Sequence, residues 1–151
     1  MIRDDIKSAL VAAMKAKDAK TVSTLRLVQS ALKNREIELR GGEARTDDDA
    51  LVIEVLKKMV KQLQDSIVLY EQNGRADLAE GEKAEVALIE GFLPAQMSEA
   101  EIDATVGTVI AELEAGSMKD MGKVMAALQA RHAATMDMKM ASAKVKARLS
   151  A

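Results

Sequence analysis

The segment from Ile89 to Ser98 constrains the fold of this chain more than any other, because it holds the only proline and the only phenylalanine. Pro94 lacks the backbone N–H that a helix interior needs, and it disfavours helical geometry in the residue before it. A helix must therefore end near Phe92. Ser98 and Glu101 then have the spacing of a capping box, in which each side chain binds the other residue's unpaired amide. The segment predicts a helix end, a short corner and a new helix.

The composition favours helices on both sides of this corner. Hydrophobic residues make up 48% of the 151-residue chain, whereas aromatic residues, which strands favour, make up 1%. One proline and eight glycines leave few points at which a helix has to stop, so the connections should be short. We therefore predict an all-α protein, with an N-terminal helical domain of about four helices over residues 1–93 and a C-terminal three-helix bundle over residues 98–151.

Apolar residues at helical spacing indicate four helices in the N-terminal part, at approximately 4–17, 21–40, 47–73 and 77–92, with Thr21 or Ser23 as the start of the second. Residues 41–47 form the longest polar connection in this part. In the third helix a set of apolar residues follows heptad spacing: Ile53, Leu56, Val60, Leu63, Ile67 and Tyr70. Such a seam needs a partner helix. A neighbouring helix of the same chain is the preferred partner, so a monomer is favoured over a homodimer formed through helix 47–73.

After the corner, the same spacing predicts three shorter helices. The first runs from Ser98 to Ala115, and Gly116 ends it. Ser117 is expected to cap the second helix, with Asp120 in the box position. The expected core positions of the three helices are Ile102, Val106, Val109, Ile110 and Leu113, then Met121, Val124, Met125 and Leu128, and finally Met138, Ala141, Val145 and Leu149.

Few residues of this chain are suited to catalysis or metal binding. The absence of cysteine excludes disulfides, thiolate metal sites and a cysteine nucleophile. The single histidine, His132, is expected to be a charge at the C-terminal end of a helix and not a catalytic group. A di-iron site in a helical bundle would need more than one histidine, and the chain has one. Four glutamates at helical spacing are interpreted as a solvated acidic face: Glu80, Glu82, Glu85 and Glu90. We therefore predict no catalytic residues, no metal and no cofactor.

The N-terminus and the apolar runs bear on location. Met1 and Ile2 are followed at once by Arg3, Asp4 and Asp5, which leaves no visible signal peptide. No apolar run approaches the roughly 20 residues that a membrane-spanning helix needs. We therefore expect no membrane partner and a cytoplasmic location.

The net charge of −2 conceals an uneven distribution. Residues 77–116 carry ten acidic residues against one lysine, whereas residues 117–151 carry seven lysines and arginines against two acidic residues. Five lysines of this basic tail are assigned to nucleic-acid binding: Lys119, Lys123, Lys139, Lys144 and Lys146. Because no aromatic residue is present there to stack on bases, the contacts should be made to the backbone of folded RNA. The alternative is a basic surface that interacts only with solvent.

Several strings of residues, in a fixed order, resemble the YqeY family. They are Thr24–Leu27, Lys33–Glu38, Tyr70–Ala79, Glu82–Pro94 and Lys119–Met125, and the resemblance extends from about residue 3 to the C-terminus. It implies an N-terminal helical domain followed by a three-helix domain. The second of these is similar to the tail of GatB, the subunit of the glutamine-dependent aminoacyl-tRNA amidotransferase that handles tRNA.

The resemblance implies an accessory role for this chain. In GatB the tail helps to hold tRNA, while the amide chemistry takes place in a separate domain that nothing here resembles. The implied partners are tRNA or an amidotransferase–aminoacyl-tRNA complex. Two alternatives stay open: a carbon–nitrogen ligase that uses glutamine as amide donor, and a helical protein-interaction module that binds no nucleic acid.

One string departs from the family pattern. Where the family usually has Gly-Arg-Ala-Asp-Gly followed by Lys, this chain has Ala134-Thr135-Met136-Asp137-Met138 followed by Lys139. The aspartate and the lysine persist, but the arginine and both glycines are absent. If these positions approach the RNA backbone in the family, binding by this chain is weaker or differently shaped.

Overall fold

The computed structural model describes residues 1–41 and 47–150 of the chain. Within these residues it contains seven α-helices and no strand, which confirms the predicted all-α fold class. The helices are α1 (Ile2–Lys15), α2 (Ala19–Glu38), α3 (Asp48–Gln72), α4 (Ala76–Glu90), α5 (Glu99–Glu112), α6 (Met121–His132) and α7 (Met138–Leu149). Short 3-10 turns at Leu39–Gly41 and Met118–Asp120 follow α2 and precede α6.

The chain divides into two compact units, Met1–Leu93 and Pro94–Ala151. Each unit has its own hydrophobic core, because the residues of one core all precede Pro94 and those of the other all follow it. The identification of the two units as independently folding domains stays a prediction.

The corner after Pro94 is fixed by hydrogen bonds within the second unit. The side-chain amide of Gln96 donates to the carbonyl oxygens of Pro94 and Ala134, at 2.8 and 2.9 Å. The backbone amide of Met97 donates to the carbonyl oxygen of Thr135 at 2.8 Å. The segment is therefore held against the loop between α6 and α7.

Ser98 caps α5, as the sequence predicted. Its hydroxyl oxygen accepts a hydrogen bond from the Glu101 amide at 3.1 Å. The reciprocal half of the capping box differs, because the Ser98 hydroxyl donates to Glu101 Oε1 at 3.1 Å. The Glu101 carboxylate therefore binds the Ser98 hydroxyl in place of the backbone amide.

Two helical hairpins, α1–α2 and α3–α4, build the first unit. Asp18 begins α2 and Asp47 begins α3. Each carboxylate accepts a hydrogen bond from a backbone amide in the first turn of its helix, from Thr21 and from Ala50 respectively. The buried residues of this core are Ile6, Leu25, Val28, Leu32, Val52, Val55, Leu56, Val60 and Ile89.

The buried face of α3 is wider than the predicted heptad seam. Leu56, Val60 and Ile67 are buried as expected, but Val52 and Val55 are buried as well. This face packs against other helices of the same unit, chiefly α4, so the seam is covered within the chain. The seam therefore has a partner helix within the chain, and the monomeric state stays a prediction.

Several details of the first unit differ from the sequence-based expectation. The apolar spacing of the fourth helix predicts burial of Leu78, but this residue is exposed, whereas the small Ala79 beside it is buried. The helix α1 begins at Ile2, two residues earlier than predicted, and α2 begins at Ala19, before both of the predicted starts. The polar connection predicted over 41–47 lies largely outside the described residues.

The second unit packs α5, α6 and α7 around its own core. The buried residues of this core are Ile102, Val106, Val109, Val124, Leu128, Met136, Ala141, Val145 and Leu149. Met136 was not an expected core residue, because it lies in the loop between α6 and α7, where no helical periodicity marks it. The loop is therefore part of the core of this unit.

The helices α5 and α7 pack against each other, and Gly107 of α5 lies beside the side chain of Arg148 of α7. A Cβ atom at this position would lie 3.0 Å from Nη1 of Arg148. The Arg148 guanidinium crosses the glycine and donates to the backbone oxygen of Asp103 at 3.3 Å and to its carboxylate at 3.2 Å. A glycine that weakens a helix interior thus makes room for an interhelical ion pair.

Candidate nucleic-acid interface

The five lysines predicted to bind RNA all lie in the second unit. Lys119 lies in the 3-10 turn before α6, and Lys123 lies in the first turn of α6. Lys139, Lys144 and Lys146 lie on α7. Because each residue adds about 1.5 Å to a helix, the 12 residues of α6 separate Lys119 from the loop before Lys139 by about 18 Å. The lysines are therefore spread along α6 and α7 and do not form one cluster.

A hydrogen bond inside the loop between α5 and α6 positions the first two lysines. The Asp120 carboxylate accepts a hydrogen bond from the Gly116 amide at 3.0 Å. Ser117 begins the 3-10 turn without a side-chain hydrogen bond, so the predicted Ser117 cap is wrong and the Asp120 contact replaces it. Lys119 and Lys123 lie on either side of Asp120 in the sequence, and both are exposed.

Asp137 positions the start of α7. Its carboxylate accepts hydrogen bonds from the amides of Lys139 and Met140, at 3.0 and 3.2 Å. Because these amides are occupied, a phosphate near the start of α7 has to be bound by the Lys139 side chain. Lys139 is exposed, and so is Lys146, about two turns further along the same face of the helix.

Acidic residues of α5 neutralise the other cations of this unit. Three ion pairs reach α5 from α6 and α7, namely Lys144–Glu99 at 3.1 Å, Arg148–Asp103 at 3.2 Å and Arg131–Glu112. Lys144, which the sequence assigned to RNA binding, is therefore already bonded to a carboxylate. It is also less exposed than the other four lysines.

Four lysines have no carboxylate partner in the part of the chain that the structure describes: Lys119, Lys123, Lys139 and Lys146. All four are exposed, so their ammonium groups are open to solvent and to anionic ligands. Among the described residues of this unit, the only large apolar side chain that is prominently exposed is Met118. The surface is therefore suited to bind phosphates and not apolar groups.

Two of the four glutamates of α4 form contacts within the first unit. Glu82 accepts a hydrogen bond from the Ser66 hydroxyl at 3.0 Å, and Glu80 pairs with Lys83 at 3.1 Å. Burial, together with the neighbouring Glu82 carboxylate, raises the pKa of Glu85. Over residues 1–41 and 47–150, no three carboxylate or imidazole groups are arranged as metal ligands.

Sequence reasoning missed the pairing of cations with α5, although a signal for it exists. Glu99 and Asp103 are one helical turn apart, and Lys144 and Arg148 have the same spacing. Two ladders of opposite charge with equal spacing are able to pair along neighbouring helices. The signal becomes readable only once α5 and α7 are known to lie side by side.

Comparison of the sequence with known proteins identifies a matching family and several similar proteins. A family model described as Yqey-like protein matches residues 3–149. Similar curated proteins carry the name "Altered inheritance of mitochondria protein 41, mitochondrial". The protein from Lachancea thermotolerans is 34% identical over 116 residues, which are 75% of this chain and 58% of the relative. The one from Kluyveromyces lactis is 34% identical over 112 residues, or 72% and 58%.

A third protein of the same name, from Saccharomyces cerevisiae strain YJM789, is 32% identical over 103 residues, which are 68% of this chain and 52% of the relative. The chain therefore spans little more than half the length of these relatives. Their names mention neither tRNA nor amide transfer.

The cytoplasmic location predicted from the sequence is contradicted by these comparisons, because all three relatives are named as mitochondrial. The prediction is wrong because it rested on the charged N-terminus and on the lack of long apolar runs, neither of which specifies a compartment. The described part of the chain contains no helix with the length and apolarity needed to cross a membrane.

Proposed function

Because this chain belongs to the YqeY-like family, we propose that it is an accessory protein whose second unit, Pro94–Ala151, binds folded RNA, with tRNA as the first candidate. The observation that carries the proposal is the set of four exposed, unpaired lysines along α6 and α7. Each is free to contact a phosphate without breaking an ion pair of the protein. No catalytic step is assigned to the chain.

The distribution of the lysines favours contacts with the RNA backbone. Lys119 and Lys123 lie at one end of α6, and Lys139 lies beyond the other end, about 18 Å away. Lysine ammonium groups spaced over this length match several phosphates of a strand and carry no base-specific pattern. RNA helices are recognised mainly through their shape and backbone, which agrees with a surface that lacks aromatic side chains.

The structure of the loop between α6 and α7 favours binding of RNA by lysine side chains and not by the backbone amides of the loop. This is the segment in which the chain lacks the glycines and the arginine of the family pattern. The carbonyl oxygens of Ala134 and Thr135 bind Gln96 and Met97, and Met136 is buried in the core. The loop is therefore committed to the interior of the unit, and Lys139 is its nearest group for an anion.

The salt dependence of tRNA binding tests the proposal on the whole protein. Each phosphate contact releases counterions, which gives a log–log slope of about −0.7 to −0.9 per contact. Four contacts predict a slope of roughly −3 to −4, measured by filter binding or fluorescence anisotropy over a series of salt concentrations. Absence of saturable tRNA binding at low salt would overturn the proposal.

An activity assay separates the accessory role from the carbon–nitrogen ligase alternative. The protein is incubated with glutamine, ATP and mischarged tRNA, and amide formation on the tRNA is followed. We expect binding of the tRNA without amide formation. Robust amide formation in the absence of other proteins would show that the ligase alternative is correct.

A further inference from the structure

The first unit contains a second set of unpaired cations, along the contact between α1 and α2. They are Lys7, Lys17, Arg26, Lys33 and Arg40, and none forms an ion pair with a carboxylate of the described residues. The other arginines of this unit that the structure describes, Arg3, Arg35 and Arg75, are all paired. Lys15, Lys20, Lys58 and Lys61 also form no ion pair among the described residues, so it is the surroundings of the five cations, and not their lack of a partner, that distinguish them.

Two depressions, which share no lining residue, lie beside these cations. The larger, of about 560 Å³, lies at the turn between α1 and α2 and is lined by Met14, Lys17, Arg26 and Leu27 among others. The smaller, of about 270 Å³, lies further along the same two helices and includes Lys7, Lys33, Ile37 and Arg40. Their α2 residues follow one another along the helix, so we treat them together as the α1–α2 groove.

The α1–α2 groove exposes apolar side chains between its cations. Leu27 is 57% exposed, Ile37 49% and Met14 45%. Arg26 and Lys33 are seven residues apart on α2, which places them on one side of the helix about 10.5 Å apart, and Arg40 follows in the 3-10 turn after α2. Aliphatic side chains flanked by regularly spaced cations form a surface complementary to an amphipathic helix that carries carboxylates.

The backbone at Lys17 is a separate observation at the same place. Lys17 has a φ of +57°, the left-handed conformation that glycine adopts without strain and that side-chain-bearing residues rarely adopt. The amide of Asp18 donates to the carbonyl oxygen of Ala13 at 3.0 Å. Lys17 therefore ends α1 in the manner that is usual for glycine. A lysine at a position that favours glycine keeps a cation at the edge of the groove.

From these observations we infer that the α1–α2 groove is a docking site for an acidic amphipathic helix of a partner protein. Leu27, Met14 and Ile37 contact the apolar face of that helix, and Arg26, Lys33 and Arg40 pair with its carboxylates. An amphipathic helix in an apolar groove is a recurring mode of recognition. The inference is independent of RNA binding by the second unit.

The shape of the groove decides against two other anionic partners. RNA has no groups that need exposed leucine and methionine side chains, and the second unit, where we place RNA binding, exposes almost none. A membrane-binding helix presents a continuous apolar face, whereas the exposed residues between Leu27 and Ile37 on α2 are polar, namely Ser30, Lys33 and Asn34. A helix of another protein is able to place its side chains into the α1–α2 groove.

A designed peptide provides the probe. It contains about three heptads, with leucines at the two core positions of each heptad, glutamates beside them and a fluorescent label. A matched peptide carries lysines in place of the glutamates. We expect saturable anisotropy changes with the acidic peptide alone, and amide chemical-shift changes in the whole protein that centre on Met14, Arg26 and Leu27.

Charge reversal tests the contacts that we assign. Arg26→Glu combined with Lys33→Glu should weaken binding of the acidic peptide by about tenfold or more. Lys61→Glu removes an exposed cation of α3 outside the groove and should leave the affinity unchanged. Circular dichroism verifies that each variant is folded.

A glycine substitution at Lys17 removes a cation of the groove without destabilising the protein. Lys17→Gly relieves the backbone and should not lower the melting temperature, yet it should weaken binding of the peptide several-fold. Glu114, which has a φ of +51° in the second unit, gives the matched control, because Glu114→Gly relieves similar strain without touching the groove. The inference would be overturned if both peptides bound equally well, or if the variant at Arg26 and Lys33 kept its affinity for the acidic peptide. Binding of anionic phospholipid vesicles or of tRNA to the groove in place of the peptide would overturn it as well.

Discussion

The two units carry their unpaired cations on different kinds of surface. In Pro94–Ala151 four unpaired lysines lie on a surface that exposes little apolar area, and α5 neutralises the remaining cations. In Met1–Leu93 the unpaired cations alternate with exposed aliphatic side chains along the α1–α2 groove. A count of charges alone does not distinguish these surfaces.

The comparison shows that the neighbours of a cation indicate its partner better than the cation itself. A lysine surrounded by polar surface offers a phosphate the charge that it needs and nothing more. An arginine beside an exposed leucine offers charge and apolar area together, which an amphipathic helix is able to use. We therefore assign the two basic surfaces to two classes of ligand.

The largest expected effect tests whether the units are energetically separate. Leu56→Ala removes a fully buried side chain from the first core and should lower the stability of Met1–Leu93 by about 3 kcal/mol. Amide hydrogen exchange in Pro94–Ala151 should stay unchanged. Met136→Ala is the reciprocal variant, and loss of protection in both units with either substitution would contradict the division.

The next effect concerns the two basic surfaces. Reversal of Lys119, Lys123, Lys139 and Lys146 to glutamate should lower tRNA affinity by about a hundredfold at low salt and flatten the salt slope. The reversal of Arg26 and Lys33 should leave tRNA affinity nearly unchanged, because these residues lie in the other unit. Equal losses in both variants would show that the surfaces are not distinct, and anisotropy titrations measure both.

Much of the fold was predictable because each helix carries its own periodicity. The spacing of Ile102, Val106 and Val109 marks the buried face of α5, and Pro94 with Ser98 marks the corner before it. These signals are local, since they depend on residues within a few turns of one another. They therefore require no knowledge of which helices are neighbours.

The features that decide function depend on neighbours and were predicted less well. Lys144 has the same sequence signal as Lys146, but only Lys144 meets a carboxylate, and that carboxylate, Glu99, is 45 residues away. Met136 is buried in a loop without periodicity. The α1–α2 groove was missed because its residues come from two helices, and the periodicity of one helix does not show which helix lies beside it.

A smaller effect is expected from Asp137, where two substitutions distinguish its capping of α7 from its negative charge. Asp137→Ala removes the acceptor of two backbone amides and should cost about 1 kcal/mol in Pro94–Ala151. Asp137→Asn keeps a capping side chain but removes the negative charge beside Lys139. It should leave the melting temperature nearly unchanged and strengthen tRNA binding about two- to threefold. Weaker tRNA binding by the asparagine variant would show that Lys139 does not contact phosphate.

The smallest expected effect uses the carboxylates, which also differ between the units. Three acidic residues of α5, Glu99, Asp103 and Glu112, each pair with a cation. Glu85 instead lies beside Glu82 on α4, and burial together with this like charge raises its pKa above the reference value of 4.5. When the folded-state pKa lies above that of the unfolded chain, protonation favours folding. The stability tied to Glu85 should therefore be fully present below pH 4.5 and be lost as the pH rises through the folded-state pKa.

Glu85→Gln should raise the stability of Met1–Leu93 at neutral pH and change it little in acid, as measured by chemical denaturation at several pH values. Glu90→Gln, an exposed change on the same helix, is the control, and an equal gain from both variants would show that general charge repulsion, and not the burial of Glu85, sets the effect.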